Sequence, residues 1–226
     1  MASGEFATAD AVAFLGCTTS GPEPQAVLER CADLKLPTFF LAGNGERAII
    51  EIADGKRVED DWPPGQWMAD RHGEQGLETI RSWPAGLIVQ VEGLGAVRLC
   101  HGSPRSDIEL LTPLTNDERI EAANRDVEER VIVHGHTHIQ YERTVNGKRI
   151  VGPGSVGLPY TTGDFGARWA LLGPDIEPIQ TPYRLSDARS RIEASGYPSL
   201  KYLNTLENPP DPEEIIRDCE VKRFSD

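Results

Sequence analysis

The chain has 226 residues, a formal net charge of −13 and 38% hydrophobic content, so it can bury a core without disulfide or metal staples. Its pI near 4.9 argues against nucleic acid as a partner, because that affinity rests on Lys and Arg neutralising phosphates. No apolar run reaches the roughly 20 residues of a membrane span, no signal-peptide pattern opens the chain, and four widely spaced cysteines without a CxxC predict reduced thiols in a cytoplasmic protein.

"MASGEF" reads as an added leader rather than as fold, so residues 1–8 are set apart. "AVAFLG" (11–16) is short, continuous and apolar, the pattern of a buried strand ended by Gly. "PEPQAVLERCADLK" reads as a helix, with prolines in its first turn and Val27, Cys31 and Leu34 on one face. "TFFLAG" (38–43) is a second buried strand, and this alternation predicts a parallel sheet in a layered α/β domain. Residues 54–85 read as loop, with Trp62, Trp67 and Trp83 packed among prolines and glycines.

"GLIVQVEGLGAVRLCHG" (86–102) predicts two strands joined by a tight turn, with Cys100 a small core residue. "TNDERIEAANRDVEER" opens with a capping box from Thr115 to Glu118, so a helix follows. "VIVHGHTH" is the next strand, and "YERTVNGKRIVGPGS" is a hairpin turning on Asn146-Gly147. "RWALLG" is a further strand. Two helices are expected near 186–195 and 212–219, in a C-terminal tail (186–226) that packs on the domain spanning 9–185.

Four loops that follow predicted strands carry Gly with polar side chains: "LGCTTSGP", "AGNGE", "CHGSPRSD" and "HGHTH". In open α/β sheets, ligands bind outside the carboxyl ends of the strands. Asn44, His101, His136 and His138 are therefore candidates to converge at one rim. Imidazole nitrogens with a carboxamide oxygen suit a borderline divalent ion such as Zn²⁺, Mn²⁺ or Fe²⁺, and an acidic protein can act on phosphates when metal supplies the positive charge. His134, His136 and His138 share a side if the strand stays regular; alternatively Gly135 breaks the pleat and re-aims the later pair. Asn44 between glycines is also what a turn residue looks like.

These motifs resemble the calcineurin-like metallophosphoesterases, in particular their small bacterial phosphodiesterase-type members. "GHTH" (135–138), the hairpin with "VGPGSVGLP" (151–159), and "HGSPRSD" (101–107) carry the likeness. "LGCTTSGPEPQAVLE" resembles the loop that begins Gly-Asp in that family, and "AGNGE" the loop that reads Gly-Asn-His followed by an acid. The resemblance runs from about Ala9 to Gly173. It implies a two-sheet β-sandwich flanked by helices, with a two-metal site at one end. It further implies that Asn44, His101 and His136 hold the second metal, that His138 helps hold the first, and that a bridging hydroxide attacks phosphorus.

The chain departs from that pattern. The opening strand with its Asp-x-His motif, and the helix after it, have no counterpart. Cys17 stands where a bridging Asp is expected, and Gly45 where the His of the Asn-His pair is expected. The expected centre is therefore reduced: one Zn²⁺ or Fe²⁺ per chain held by Cys17, Asn44, His101 and His136, or an ancestral site inactivated by Cys17. Arg105 is either a contact to a phosphoryl oxygen or a solvated loop charge. Unpaired strand edges left without a first strand predict a homo-oligomer that covers them.

Three functions follow. The first is a metal-dependent phosphoesterase acting on small phosphodiesters or phosphomonoesters, with promiscuous phosphotriester hydrolysis. The second is a non-catalytic scaffold, for which the retromer subunit with this fold is the precedent. The third makes Cys17 a nucleophile activated by a strand-end histidine, with the N-terminus of the following helix lowering its pKa.

Overall fold

The computed structural model describes residues 8–56, 64–161 and 165–225. The leader (1–8) therefore falls, up to residue 7, outside the described residues, as does Trp62. Strands β1 (Val12–Phe14) and β2 (Thr38–Phe40) pair in parallel, with Val12 opposite Thr38. Helix α1 (Pro24–Ala32) connects them and carries Pro in its first turn, where a missing N–H removes no helical bond. Both strands are shorter than expected and only half buried: Ala13 and Phe39 face outward, since β1 and β2 form a sheet of two.

Helices α2 (Asn44–Ala53) and α3 (Pro64–Arg81) follow. Helix α3 corrects the loop expected over 54–85. Its glycines obscure the pattern, yet Met68, Ala69, His72 and Ile80 recur at helical spacing and are buried. Gly73 leaves helical geometry (φ 60°, ψ 177°) and kinks the helix. Trp67 and Trp83 are packed, Trp83 stacked 4.7 Å from Phe40 and Trp67 edge-on to Tyr197.

The main sheet has five strands in the order β3-β4-β5-β7-β6. These are β3 (Gly86–Val91), β4 (Gly95–Cys100), β5 (Val131–His134), β6 (Gln140–Val145) and β7 (Lys148–Pro153). Strand β5 lies between β4 and β7, parallel to both, and every one of its residues is buried, which suits its Val-Ile-Val run. The β6–β7 hairpin turns on Asn146 (φ 47°) and Gly147 (φ 78°), as a type I′ turn requires. Helix α4 (Asp117–Ala123) is capped one residue later than expected. Asn116 accepts from the Arg119 N–H at 2.9 Å, while the Thr115 hydroxyl bonds Glu220 instead.

Strands β8 (Ala167–Leu172) and β9 (Ile176–Thr181) form a second sheet of two. The tail holds α5 (Leu185–Ser195), α6 (Lys201–Glu207) and α7 (Pro212–Lys222); β9 and α6 were not anticipated. One face of the main sheet presents Val97, Leu99, Val131, Val133 and Val151 to Leu15, Leu41, Leu172 and Ile176. Both small sheets therefore cover the same face. The opposite face packs Cys100, Ile132 and Ile150 against Ile120 of α4. The result is a mixed, layered α/β fold, with one layer of the expected sandwich divided into two pieces. All four cysteines are free thiols, and among the described residues no helix is long and apolar enough to cross a membrane.

Candidate functional site

Four strand-end loops meet at one rim. After β1, Gly16 (φ 96°) and Cys17 (φ 52°) turn left-handed and bring the thiol inward. Cys17 Sγ lies 3.2 Å from Asn44 Oδ1 and 3.3 Å from His101 Nε2, and accepts from the Gly45 N–H at 3.3 Å. Asn44 is the first residue of α2, behind the N-cap Gly43, rather than a left-handed turn residue. His101, just past β4, is 2% exposed. Gly16 and Gly43 make room for it: a Cβ at either would come within 2.5 Å and 2.9 Å of His101 Nδ1, respectively.

The regular strand ends at His134. His136 (φ 65°) and His138 (φ 60°) are left-handed, so the pleat breaks at Gly135 and the three imidazoles do not share a side. His134 is fully buried; its Nδ1–H donates to the Gly135 carbonyl at 3.2 Å and its Nε2 accepts from Tyr141 O–H at 2.7 Å. That is a structural role. His101, His136 and His138 each direct one ring nitrogen at a backbone carbonyl, as does His72 away from the rim. His101 Nδ1–H donates to Leu15 at 2.6 Å, His136 Nε2–H to Ser225 at 3.0 Å, and His138 Nδ1–H to Leu158 at 2.9 Å. A carbonyl only accepts, so a proton sits on that nitrogen, and in a neutral ring the other nitrogen carries a lone pair. Metal-ligating histidines are oriented in this way.

Burial, then His136, holds His101 down to about 3, and burial likewise holds His138 near 4. Both are neutral at physiological pH. His101 Nε2 therefore presents a lone pair 2.9 Å from Asn44 Oδ1, itself an acceptor. Cys17 Sγ, Asn44 Oδ1 and His101 Nε2 thus form a triangle of three acceptors that share one proton, on the thiol. A cation resolves that arrangement. Tetrahedral bonds of 2.0–2.3 Å set neighbouring ligands roughly 3.3–3.8 Å apart, so the edges of 3.2, 3.3 and 2.9 Å are hydrogen-bond contacts that would open by a few tenths of an ångström around an ion. The donor types, a thiol, a carboxamide oxygen and an imidazole nitrogen, are ones that a divalent ion accepts, and the His136 ring lies 4.9 Å from that of His101. Among the described residues no three His, Cys, Asp or Glu side chains are grouped to hold a metal, so the triangle depends on the Asn44 carboxamide. His138 is stacked on Tyr160 at 5.2 Å and stands outside the triangle.

Two site expectations meet particular surroundings. Arg105 is ion-paired within the protein: its Nε and Nη2 donate to Glu109 at 2.8 and 2.6 Å. Burial, then the Glu46 carboxylate, pushes the Cys17 thiol well above the ordinary value, the opposite of the lowered pKa expected of an activated nucleophile. Helix α1 begins only at Pro24, seven residues past the sulfur in sequence.

Two residues escaped the sequence reading. A Cβ on Gly45 would lie 2.0 Å from Ser20 Oγ and 3.1 Å from Cys17 Sγ, so Ser20 fills the space beside the triangle. The Glu46 carboxylate accepts bonds from Cys17, Thr19 and Gly43. An acid three residues beyond Gly43 is a helix-capping spacing, and "GNGE" displayed it.

Comparison with known proteins bears on the family and the fold. The model of the calcineurin-like phosphoesterase superfamily domain matches residues 4–171. A hypothetical protein from Pyrococcus horikoshii is similar in structure at 20% identity, with a TM-score of 0.74 over 87% of this chain and 84% of its own. A metallophosphoesterase from Sphaerobacter thermophilus is similar at 21% identity, with a TM-score of 0.67 over 88% of each chain. No curated protein matches the chain.

Proposed function

The chain belongs to the calcineurin-like phosphoesterase superfamily, and we propose that it is a metal-dependent phosphoesterase with a reduced, mononuclear centre. The observation that carries this reading is the acceptor triangle of Cys17, Asn44 and His101, whose histidine is held in the ligating tautomer by Leu15. His136, oriented by Ser225, is the fourth candidate ligand. The proposed cofactor is one Zn²⁺, Mn²⁺ or Fe²⁺ per chain, and a thiolate in the set favours Zn²⁺. A divalent ion held there supplies Lewis acidity towards phosphoryl oxygens. The protein's own part is to keep the His101 imidazole neutral by burial and to fix its tautomer through the Leu15 carbonyl.

The proposed substrates are small phosphodiesters or phosphomonoesters, with phosphotriesters accepted promiscuously because they bring no negative charge to an acidic protein. A cytoplasmic location and a homo-oligomer complete the proposal. The competing reading is a non-catalytic scaffold. It is favoured by the lack, among the described residues, of a cluster of three charged-type ligands.

Metal analysis of protein purified without a His tag, combined with turnover of bis(p-nitrophenyl) phosphate in added Mn²⁺, separates the two. The enzyme reading expects one ion per chain and activity lost in His101→Ala and His136→Ala. Bound metal without turnover favours the scaffold. Neither metal nor turnover, with both variants unchanged, overturns the site itself.

A further inference from the structure

Glu46 is fully buried and touches no group of the acceptor triangle through its side chain. Its Oε2 accepts from the Cys17 N–H at 2.7 Å and the Gly43 N–H at 2.9 Å. Its Oε1 accepts from the Thr19 N–H at 3.0 Å and the Thr19 hydroxyl at 3.2 Å. These four donors come from two loops, one following β1 and the other following β2. A carboxylate is costly to bury, and it persists where several hydrogen bonds converge on it.

The bonds fall at consequential places. Cys17 is a non-glycine residue at φ 52°, a conformation that other interactions must maintain. Its N–H is held by Glu46 Oε2. Gly43 immediately precedes Asn44 and is held by the same oxygen. One atom therefore holds the backbone of Cys17 and that of the residue before Asn44, and the side chains of Cys17 and Asn44 stand 3.2 Å apart in the triangle. Without that clasp, Cys17 can relax out of the left-handed region, carrying its sulfur away from Asn44 and His101.

We propose that Glu46 is the positioning residue of this centre, its carboxylate clasping the two strand-end loops so that Cys17 Sγ and Asn44 Oδ1 stand side by side, 3.2 Å apart. The proposal rests on the metal-site reading above. It does not make Glu46 a ligand or a catalytic residue.

The test uses the full chain and three variants. Glu46→Gln keeps the size of the side chain but turns an NH₂ toward backbone donors. Glu46→Asp keeps the charge and is too short to span both loops. Ile49→Val, on the same helix and equally buried, loosens the core without touching either loop. Two quantities are read below the melting temperature of all forms: Zn²⁺ affinity by competition with a chromophoric chelator, and the rate of Cys17 alkylation by iodoacetamide in metal-free protein, followed by peptide mass spectrometry. Both Glu46 variants should weaken Zn²⁺ by about tenfold or more, the range for a residue that orients ligands, while Ile49→Val stays within about twofold. Cys17 alkylation should accelerate in the Glu46 variants alone. Unchanged affinity and alkylation in a folded Glu46 variant overturn the clasp, as does an equal effect from Ile49→Val. Should Glu46→Gln fail to fold, Glu46→Asp decides. If the wild type binds no Zn²⁺, the metal-site reading fails by itself, and alkylation still decides whether Glu46 holds the loop.

Discussion

His134, His136 and His138 are separated by what their ring nitrogens face. Both nitrogens of His134 are engaged, one by Gly135 and one by Tyr141; the Nε2–H of His136 donates to the Ser225 carbonyl. Tyr141→Phe should therefore lower stability by about 1–3 kcal/mol, the range for a buried acceptor left unsatisfied, and leave metal affinity unchanged. Chemical denaturation and metal titration of the same variant check this; a loss of metal affinity would give His134 a functional role. Gly45 offers a second separation. A methyl there meets Ser20 Oγ at 2.0 Å, so Gly45→Ala should destabilise the protein, and adding Ser20→Gly should restore part of the loss. That rescue, measured as non-additivity in a double-mutant cycle, would place the two residues in one packed site; strict additivity would refute it. Asn44, His101 and His136 were legible in the sequence because the chemistry lies in their side-chain types after predicted strands, whereas Cys17 was marked only by the family resemblance. Ser20, and the carbonyls of Leu15, Leu158 and Ser225, were not, because a backbone partner leaves no trace in residue identity.

At the scale of elements, the end of the chain is tied to the loop that carries His101. Leu110 N–H donates to Arg223 at 2.8 Å and Ser225 N–H to Ile108 at 2.9 Å, and Arg119 donates to the Arg223 carbonyl at 2.9 Å. Glu109 anchors this junction, bonded by Arg105 and Ser103. Burial would raise its carboxyl, but the hydrogen bonds from Arg105 and Ser103 and the charges of Arg105 and Arg119 outweigh that and hold it below the ordinary value. A depressed carboxylate contributes stability that is complete above the unfolded pKa and is lost as pH falls through the folded one. Glu109→Gln should cost about 2 kcal/mol at neutral pH, less than the roughly 3–5 of a fully buried pair, since Arg105 is 44% exposed. The gap between wild type and variant, followed by urea denaturation, should narrow as pH falls through the depressed value. A gap that is constant with pH would mean that Glu109 acts by shape alone. The elements that sequence patterning found were those with one clear period, such as β5 and the β6–β7 hairpin. Helix α3 was missed because its glycines mimic loop composition while tertiary packing of Met68 and Ile80 supplies what local propensity lacks.

At the scale of the whole molecule, two sheets of two strands share a single face of the main sheet. Among the described residues β1 pairs only with β2, and Ala13 in its middle is exposed. An edge of this kind accepts a strand from another chain unless it is covered or charged. Opposing this is a net charge of −13, which makes copies of the chain repel one another. The two effects respond differently to salt, because screening shortens the reach of charge to about 8–10 Å near 0.1–0.15 M and leaves apolar contact and backbone pairing in place. Association should therefore strengthen between about 20 mM and 300 mM NaCl in light scattering. A monodisperse monomer at both concentrations removes the oligomer from the proposal. Ala13→Lys then locates the interface. The added Lys makes the chain less negative, so if charge alone governed association, the variant would associate more readily than the wild type. If it associates less, the β1 edge is where the copies meet, because a lysine on an edge strand obstructs pairing whatever it does to the net charge.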